Sequence, residues 1–108
     1  MASVSQSFSA QVGDSQRLVI YSGQSLNESN GGGVVMIAIS SEFGDSISVW
    51  DQSEQNLATV PVHSSVVLAC NRNDTISLGG PTAGQSGRLT RGGYLKGVYQ
   101  VTWEGAEK

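Results

Sequence analysis

Short stretches in which apolar and polar residues alternate dominate this chain. The clearest are residues 3–12, 46–50 and 99–103. A period of two places the apolar side chains on one face of an extended strand and the polar side chains on the other. No stretch keeps the 3.6-residue period of a helix. The alternation therefore predicts a protein built from strands that are each buried on one face.

Turn-forming residues separate these stretches at intervals of about 8–12 residues, which is typical of β-sandwiches and barrels. The length of 108 residues fits a domain with one hydrophobic core. We expect a single all-β domain over residues 1–108, a small antiparallel β-sandwich or barrel of about seven or eight strands. Within it, residues 1–12 should form either an N-terminal arm or an edge strand.

Two stretches are apolar without interruption. Residues 34–40 are rich in β-branched side chains and follow three glycines, which predicts a central strand buried on both faces. Residues 65–70 predict a further strand that contains Cys70, the single cysteine of the chain. A lone cysteine cannot form an intrachain disulfide, so we expect a buried, reduced thiol.

The surface predicted from the composition is polar but weakly charged. Only 14% of the residues are charged, against about 25% in typical soluble domains. Neutral residues must therefore supply most of the polar surface, and the chain contains seventeen serines. Such a surface loses less on burial against a partner than a charged one, because stranding a charge costs most. The serine face of residues 3–12 is small enough to lie flat on a neighbour.

Nucleic acid is not an expected partner. The net charge is −3, and the only basic cluster is Arg88, Arg91 and Lys96. Displacing counterions from phosphates needs a larger basic surface than these three residues offer.

Two short motifs resemble those of enzymes. Residues 23–26 resemble the nucleophile block of the GDSL/SGNH esterases, which implies Ser25 as nucleophile and Gly23 as an oxyanion donor. The only histidine, His63, does not stand where that family places its base, and a serine without a base is a poor nucleophile. Residues 79–86 nearly match a phosphate-binding loop, but Gln85 stands where its lysine is needed. We therefore expect no catalytic residue.

Neither a metal nor another cofactor is expected. His63 and Cys70 would supply two ligands, whereas a zinc site needs three or four. The acidic residues are scattered and form no calcium-binding loop.

The aromatic residues allow two interpretations. Trp50, Tyr94, Tyr99 and Trp103 could pack in a core or interface, or could form a stacking platform for a sugar. The second interpretation gives the alternative function, a carbohydrate- or ligand-binding β-sandwich module.

The serine-rich start at residues 1–9 and the glycine-rich segment 79–93 give the chain the general character of a known class of proteins. It resembles the small all-β virion proteins of tailed bacteriophages, such as capsid decoration, cement or tail proteins. The resemblance implies a non-enzymatic structural protein that binds and stabilises a repeating protein lattice, often as a homotrimer. It implies protein subunits as partners, with no membrane. The expected interface residues are Val4, Phe8, Val12, Trp50, Arg88, Arg91, Tyr94 and Trp103.

Residues 1–5 lack the basic and apolar regions of a signal peptide. We therefore expect synthesis in a cytoplasm, with the protein acting there or leaving within a virion.

Overall fold

The computed structural model describes residues 2–22, 34–83 and 89–103 of the chain, and every regular element in these ranges is a β-strand. Among these residues there is no helix long and apolar enough to cross a lipid bilayer. The strands are β1 (Ala2–Val12), β2 (Leu18–Ser22), β3 (Val34–Gly44), β4 (Ile47–Trp50), β5 (Asn56–Val60), β6 (Ser65–Asn71), β7 (Thr75–Gly79), β8 (Thr82–Ala83), β9 (Leu89–Thr90) and β10 (Gly93–Trp103).

Eight of the strands form two antiparallel sheets of four. The first sheet has the order β1-β10-β3-β6, and the second has the order β2-β7-β4-β5. Folding the chain as one long ribbon produces this arrangement, because β1 pairs with β10, β2 with β7, β3 with β6 and β4 with β5. This is the jelly-roll arrangement of a β-sandwich. The expected all-β class, with about eight strands in two sheets, is confirmed.

The core lies between the two sheets and is filled by the inward residues of the alternating strands. In β1, Phe8 and Val12 point inward and are buried, whereas Ser3, Ser5, Ser7 and Ser9 face solvent. The buried apolar side chains are Phe8, Val12, Ile20, Tyr21, Val35, Ile37, Ile39, Ile47, Val49, Val60, Ile76, Leu78, Leu95 and Val101. Residues 1–12 were predicted to form an N-terminal arm or an edge strand. In the structure, β1 lies at one edge of the first sheet.

The strands buried on both faces are β4 and β7, not β3. In β3, Val35, Ile37 and Ile39 are fully buried, but Val34 and Met36 on the opposite face are 55% and 42% exposed. The prediction that residues 34–40 would be buried on both faces is therefore wrong for this chain by itself. The physical reason is that no segment of the described chain covers the outer face of the first sheet.

The chain itself covers the centre of the outer face of the second sheet. The side chains of Ser48 and Trp50 point away from the core, yet both are fully buried. The Arg17 guanidinium lies over the Trp50 ring, 4.2 Å from its centroid, and donates to the Thr90 hydroxyl in the segment that follows β7. The Ser48 hydroxyl donates to the Gly80 carbonyl at 2.7 Å. These contacts place Gly80 and Thr90 at the centre of this face, whereas nothing in the described chain covers the outer face of the first sheet.

Candidate protein-interaction surface

The open face of the first sheet is almost free of charge. We call this surface the outer face; it is formed by the outward residues of β1, β10, β3 and β6, and most of them are apolar, serine, threonine or amide residues. They are Ser3, Ser5, Ser7, Ser9, Gln11, Tyr94, Lys96, Val98, Gln100, Thr102, Val34, Met36, Ala38, Ser40, Phe43, Ser65, Val67, Ala69 and Asn71. Lys96 is its single charged member, and the neighbouring Glu42 lies where β3 bulges.

The apolar part of this outer face lies on β3 and β6. Val67 is 64% exposed, and it lies across from Ala38 on the neighbouring strand. Met36 lies across from Ala69, and Val34 lies two residues before Met36 in β3. A monomeric soluble sheet with one solvated face normally carries polar residues there. Contiguous exposed apolar side chains with a polar border are typical of a surface that another protein covers.

The remaining part of the outer face is built from hydroxyls. The four serines of β1 lie beside Thr102, Gln100, Val98 and Lys96 of β10. The serine side chains are small and neutral, and their hydroxyls can both donate and accept hydrogen bonds. A partner that covers Ser3, Ser5 and Ser7 therefore meets neither bulky side chains nor charges whose burial would be costly.

One end of the outer face is different. Tyr94 is half-buried, its hydroxyl is hydrogen-bonded to the Ser9 hydroxyl, and its ring meets Phe43 edge-on at a centroid distance of 6.2 Å. Phe43 is one of the most exposed apolar side chains of the described chain. Lys96 pairs with Phe43 across β10 and β3. Aromatic rings and a single cation thus mark this end, while the centre of the outer face is uncharged.

The structure separates the predicted interface residues into three groups. Phe8, Val12 and Trp50 are buried in the single chain and have almost no surface to offer a partner, because Phe8 and Val12 lie in the core and Arg17 lies over Trp50. Arg88 lies outside the described residues. The predicted residues with accessible surface are Val4, Arg91, Tyr94 and Trp103.

The buried Trp50 also removes one member of the predicted stacking platform. Tyr99 packs against Phe8 at a centroid distance of 6.2 Å and lies on the inner face of the first sheet. The aromatic residues of the predicted stacking platform therefore lie on different surfaces of the domain.

Sequence reasoning missed the apolar residues of the outer face, chiefly Met36 and Val67. Their signal was present in the apolar stretches 34–40 and 65–70, of which the first was predicted to be buried on both faces and the second was predicted only as a further strand. Burial on both faces is what such a stretch indicates, but the covering need not come from the same chain.

No set of three or more histidine, cysteine, aspartate or glutamate residues that could hold a metal ion occurs in the described ranges. His63 is an exposed turn residue with a φ of 67°, whereas Cys70 lies near the far end of β6. Seven residues of largely extended chain place them about 20 Å apart, too far for one ion. Ser25 and Gln85, the residues of the two enzyme-like motifs, lie outside the described residues.

Cys70 faces inward and is partly buried. Burial raises the pKa of its thiol to about 11, and the nearby carboxylate of Asp74 adds to the effect. Burial also raises the pKa of Tyr21, whose hydroxyl donates to the Arg72 carbonyl at 2.6 Å. Since both pKa values are raised, the protonated groups stabilise the fold at neutral pH. The contribution of Cys70 is lost as the pH rises from about 9 toward 11, and that of Tyr21 is lost at pH values above 10.

The raised thiol pKa gives a direct prediction about reactivity. At pH 8 the native thiol should react with iodoacetamide about a hundredfold more slowly than the urea-unfolded chain, because the thiolate is the reacting form and is scarcer by that factor. The rate is measured by mass spectrometry of the alkylated chain at pH values from 7 to 11. Equal rates for the native and unfolded chains at pH 8 would contradict the raised pKa.

No protein-family model matches the chain, and no curated protein matches it in sequence. Among solved structures, a chain of Bacillus endospore appendages, described as a novel family of disulfide-linked pili, aligns with 93% of this chain and 84% of its own length. The identity is 11% and the TM-score is 0.46. A similarity at this level assigns no function to the present chain.

Proposed function

We propose that this chain is a non-enzymatic structural protein that attaches to other protein subunits of a larger assembly through the outer face of its first sheet. The observation that supports the proposal is the contrast between its two sheets. The centre of the second sheet, at Ser48 and Trp50, is covered by the chain's own Arg17, Gly80 and Thr90. The first sheet carries apolar and neutral side chains that stay exposed in the single chain.

The size of the outer face suits a protein partner. Four strands spaced about 4.8 Å apart and up to about 11 residues long make a surface of roughly 600 Å². Each partner in a standard protein complex buries about 800 Å². The first sheet can therefore supply most of one side of a specific interface.

The expected virion role remains a prediction within this proposal. In a repeating lattice, each copy of the chain would meet an identical partner surface, and modest contacts through several linked copies would add to strong retention. A neutral outer face is well suited to that task, because its binding depends little on salt.

A charge in the apolar part of the outer face tests the proposal. Val67→Lys should weaken attachment about a hundredfold, because the new ammonium group would have to be buried without a partner. The fold should survive, since the side chain at this position is 64% exposed. The measurement is sedimentation of the tagged chain in a lysate of its native host, where the wild-type chain should move with large particles and Val67→Lys should remain free.

Val19→Lys is the matched control. Val19 is also an exposed valine, 58% accessible, but it lies on β2 of the second sheet. The Val19→Lys variant should sediment like the wild-type chain. Sedimentation of Val67→Lys with the particles, or equal loss in both variants, would argue against the outer face as the attachment surface.

A further inference from the structure

The free edge of β1 lacks the features that normally protect an edge strand. β1 is eleven residues long, contains no charged residue or proline, and pairs with β10 from Ala2 to Val12 without a bulge. Natural proteins protect exposed edges with charges, proline, bulges or short strands, because an unprotected edge can pair with another chain. β1 offers a long, regular row of backbone donors and acceptors.

The other sheet edges in the described part of the chain are shorter or irregular. β2 has five residues, and its pairing shifts between Val19 and Tyr21. β5 also has five residues and is followed at once by Pro61. β6 has seven residues and contacts β5 of the opposite sheet. Of these four edges, β1 is the one suited to pairing with a further strand.

The sequence of β1 reads nearly the same in both directions about Gln6. The mirrored pairs are Ala2 with Ala10, Ser3 with Ser9, Val4 with Phe8, and Ser5 with Ser7. In an antiparallel pair of identical strands related by a two-fold axis, each residue faces its mirror position on the other strand. A strand with this symmetry is therefore complementary to itself.

We propose that β1 pairs antiparallel with β1 of a second copy of this chain, about a two-fold axis at Gln6. The inference deepens the proposed function and rests on it, since it names one partner within the assembly. Nine paired residues on each strand would form about eight to ten main-chain hydrogen bonds. Serines would face serines on the outer face, and on the inner side Val4 would lie opposite the position of Phe8 of the second copy.

A groove beside β1 supports the same arrangement. Between the edges of β1 and β2 the sandwich is open, with a cavity of about 300 Å³ lined mainly by apolar side chains, including Ile20, Tyr99 and Trp103. Val4 lies in this groove and is 49% exposed although it points to the inner side of its sheet. A strand added to β1 would place its inward side chains beside Val4 and shield it from water, as in other cases of strand addition.

Pairing would join the two first sheets into one sheet of eight strands. The serines of both β1 strands would lie at its centre, and the uncharged outer faces of the two copies would become continuous. Such a pair would present two attachment surfaces at once, which strengthens binding to a repeating partner. The symmetry is two-fold, in contrast to the trimer that the resemblance to virion proteins implies.

Cysteine cross-linking tests the pairing and its register. In a Cys70→Ala background, Gln6→Cys places two thiols on opposed residues about 4.5–5.5 Å apart at Cα, within the range of a disulfide. Ser3→Cys is the matched control, because its two thiols would lie about 20 Å apart. Under mild oxidation, Gln6→Cys should form roughly tenfold more covalent dimer than Ser3→Cys, measured by non-reducing electrophoresis.

Mixing provides a second measurement. Ser3→Cys and Ser9→Cys should cross-link to each other when mixed, and each should cross-link poorly when alone, because only unlike chains bring these positions together. A monomeric Gln6→Cys, or cross-linking that is equally strong in all variants, would overturn the proposal. If Gln6→Cys cross-linking were absent while Val67→Lys still weakened attachment, the strand pairing would be rejected and the proposed function would stand. If Gln6→Cys cross-linked strongly while Val67→Lys had no effect on attachment, the proposed attachment surface would be rejected and the strand pairing would stand.

Discussion

Replacing Trp50 with alanine is expected to lower the free energy of unfolding by about 4 kcal/mol. Trp50 is fully buried, and its indole nitrogen donates to the Ser48 hydroxyl at 2.7 Å. The same hydroxyl donates to the Gly80 carbonyl, and the Arg17 guanidinium lies over the indole ring. The substitution would leave a large cavity and remove the cation–π contact of Arg17, which also bonds Thr90. Urea unfolding followed by far-ultraviolet circular dichroism measures the change.

Trp103→Ala is the control for the loss of an indole. Trp103 is half-buried at the groove beside β1, so its removal should cost only about 1–2 kcal/mol. Equal losses of unfolding free energy in Trp50→Ala and Trp103→Ala would show that Trp50 is not buried as the structure describes.

A second large effect is expected at Gly97, where alanine should destabilise the fold by about 3 kcal/mol. Gly97 is buried at the bulge between β10 and β3. A Cβ atom there would overlap the Ser40 carbonyl oxygen and would come within 3.1 Å of the Phe8 ring. The carbonyl belongs to a paired backbone, so relief would require β10 and β3 to separate. The same urea titration measures this cost.

Gly13→Ala is the matched control for glycine replacement. A Cβ atom at Gly13 would meet the flexible end of the Gln16 side chain, which can move aside. The expected change is within about 1 kcal/mol in either direction. If Gly97→Ala were as mild as this control, the close approach of β10 and β3 at the bulge would be incorrect.

The proposed assembly function and the proposed strand pairing use different parts of one sheet. Attachment to other subunits depends on the apolar side chains of β3 and β6, with Val67 at their centre. Pairing between copies depends on the backbone edge of β1. Because β1 and β6 are opposite edges of the first sheet, the two can operate together, and their variants can be interpreted separately.

The alternation in the sequence was sufficient to predict the strands and the fold class. Residues 3–12, 46–50 and 99–103 lie in β1, β4 and β10, and the structure confirms an all-β sandwich. The prediction succeeded because a period of two depends only on local backbone geometry. It also identified the serine face of β1, since the neighbours of each serine along the chain are enough to place it opposite Val4 and Phe8.

The alternation could not predict which face of each sheet the rest of the chain covers. Ser48 looks like a solvent-facing residue in its sequence context, yet it is buried under Gly80, which follows it by 32 residues. Met36 looks like a buried residue, yet it is exposed because the described chain places nothing over the first sheet. Trp50 was predicted as an interface residue for the same reason, since it is covered by Arg17, which is bonded to Thr90, and both come from distant parts of the chain.

The sequence by itself thus determined that the chain folds into strands, which residues of each strand share a face, and that its surface carries little charge. Only the tertiary structure decided which of the two outer faces remains open and which edge strand lacks protection. The physical reason is that the side chains of a strand alternate by local geometry, whereas their burial depends on segments far away in the sequence. The open, uncharged face of the first sheet results from that long-range packing, and the proposed function depends on it.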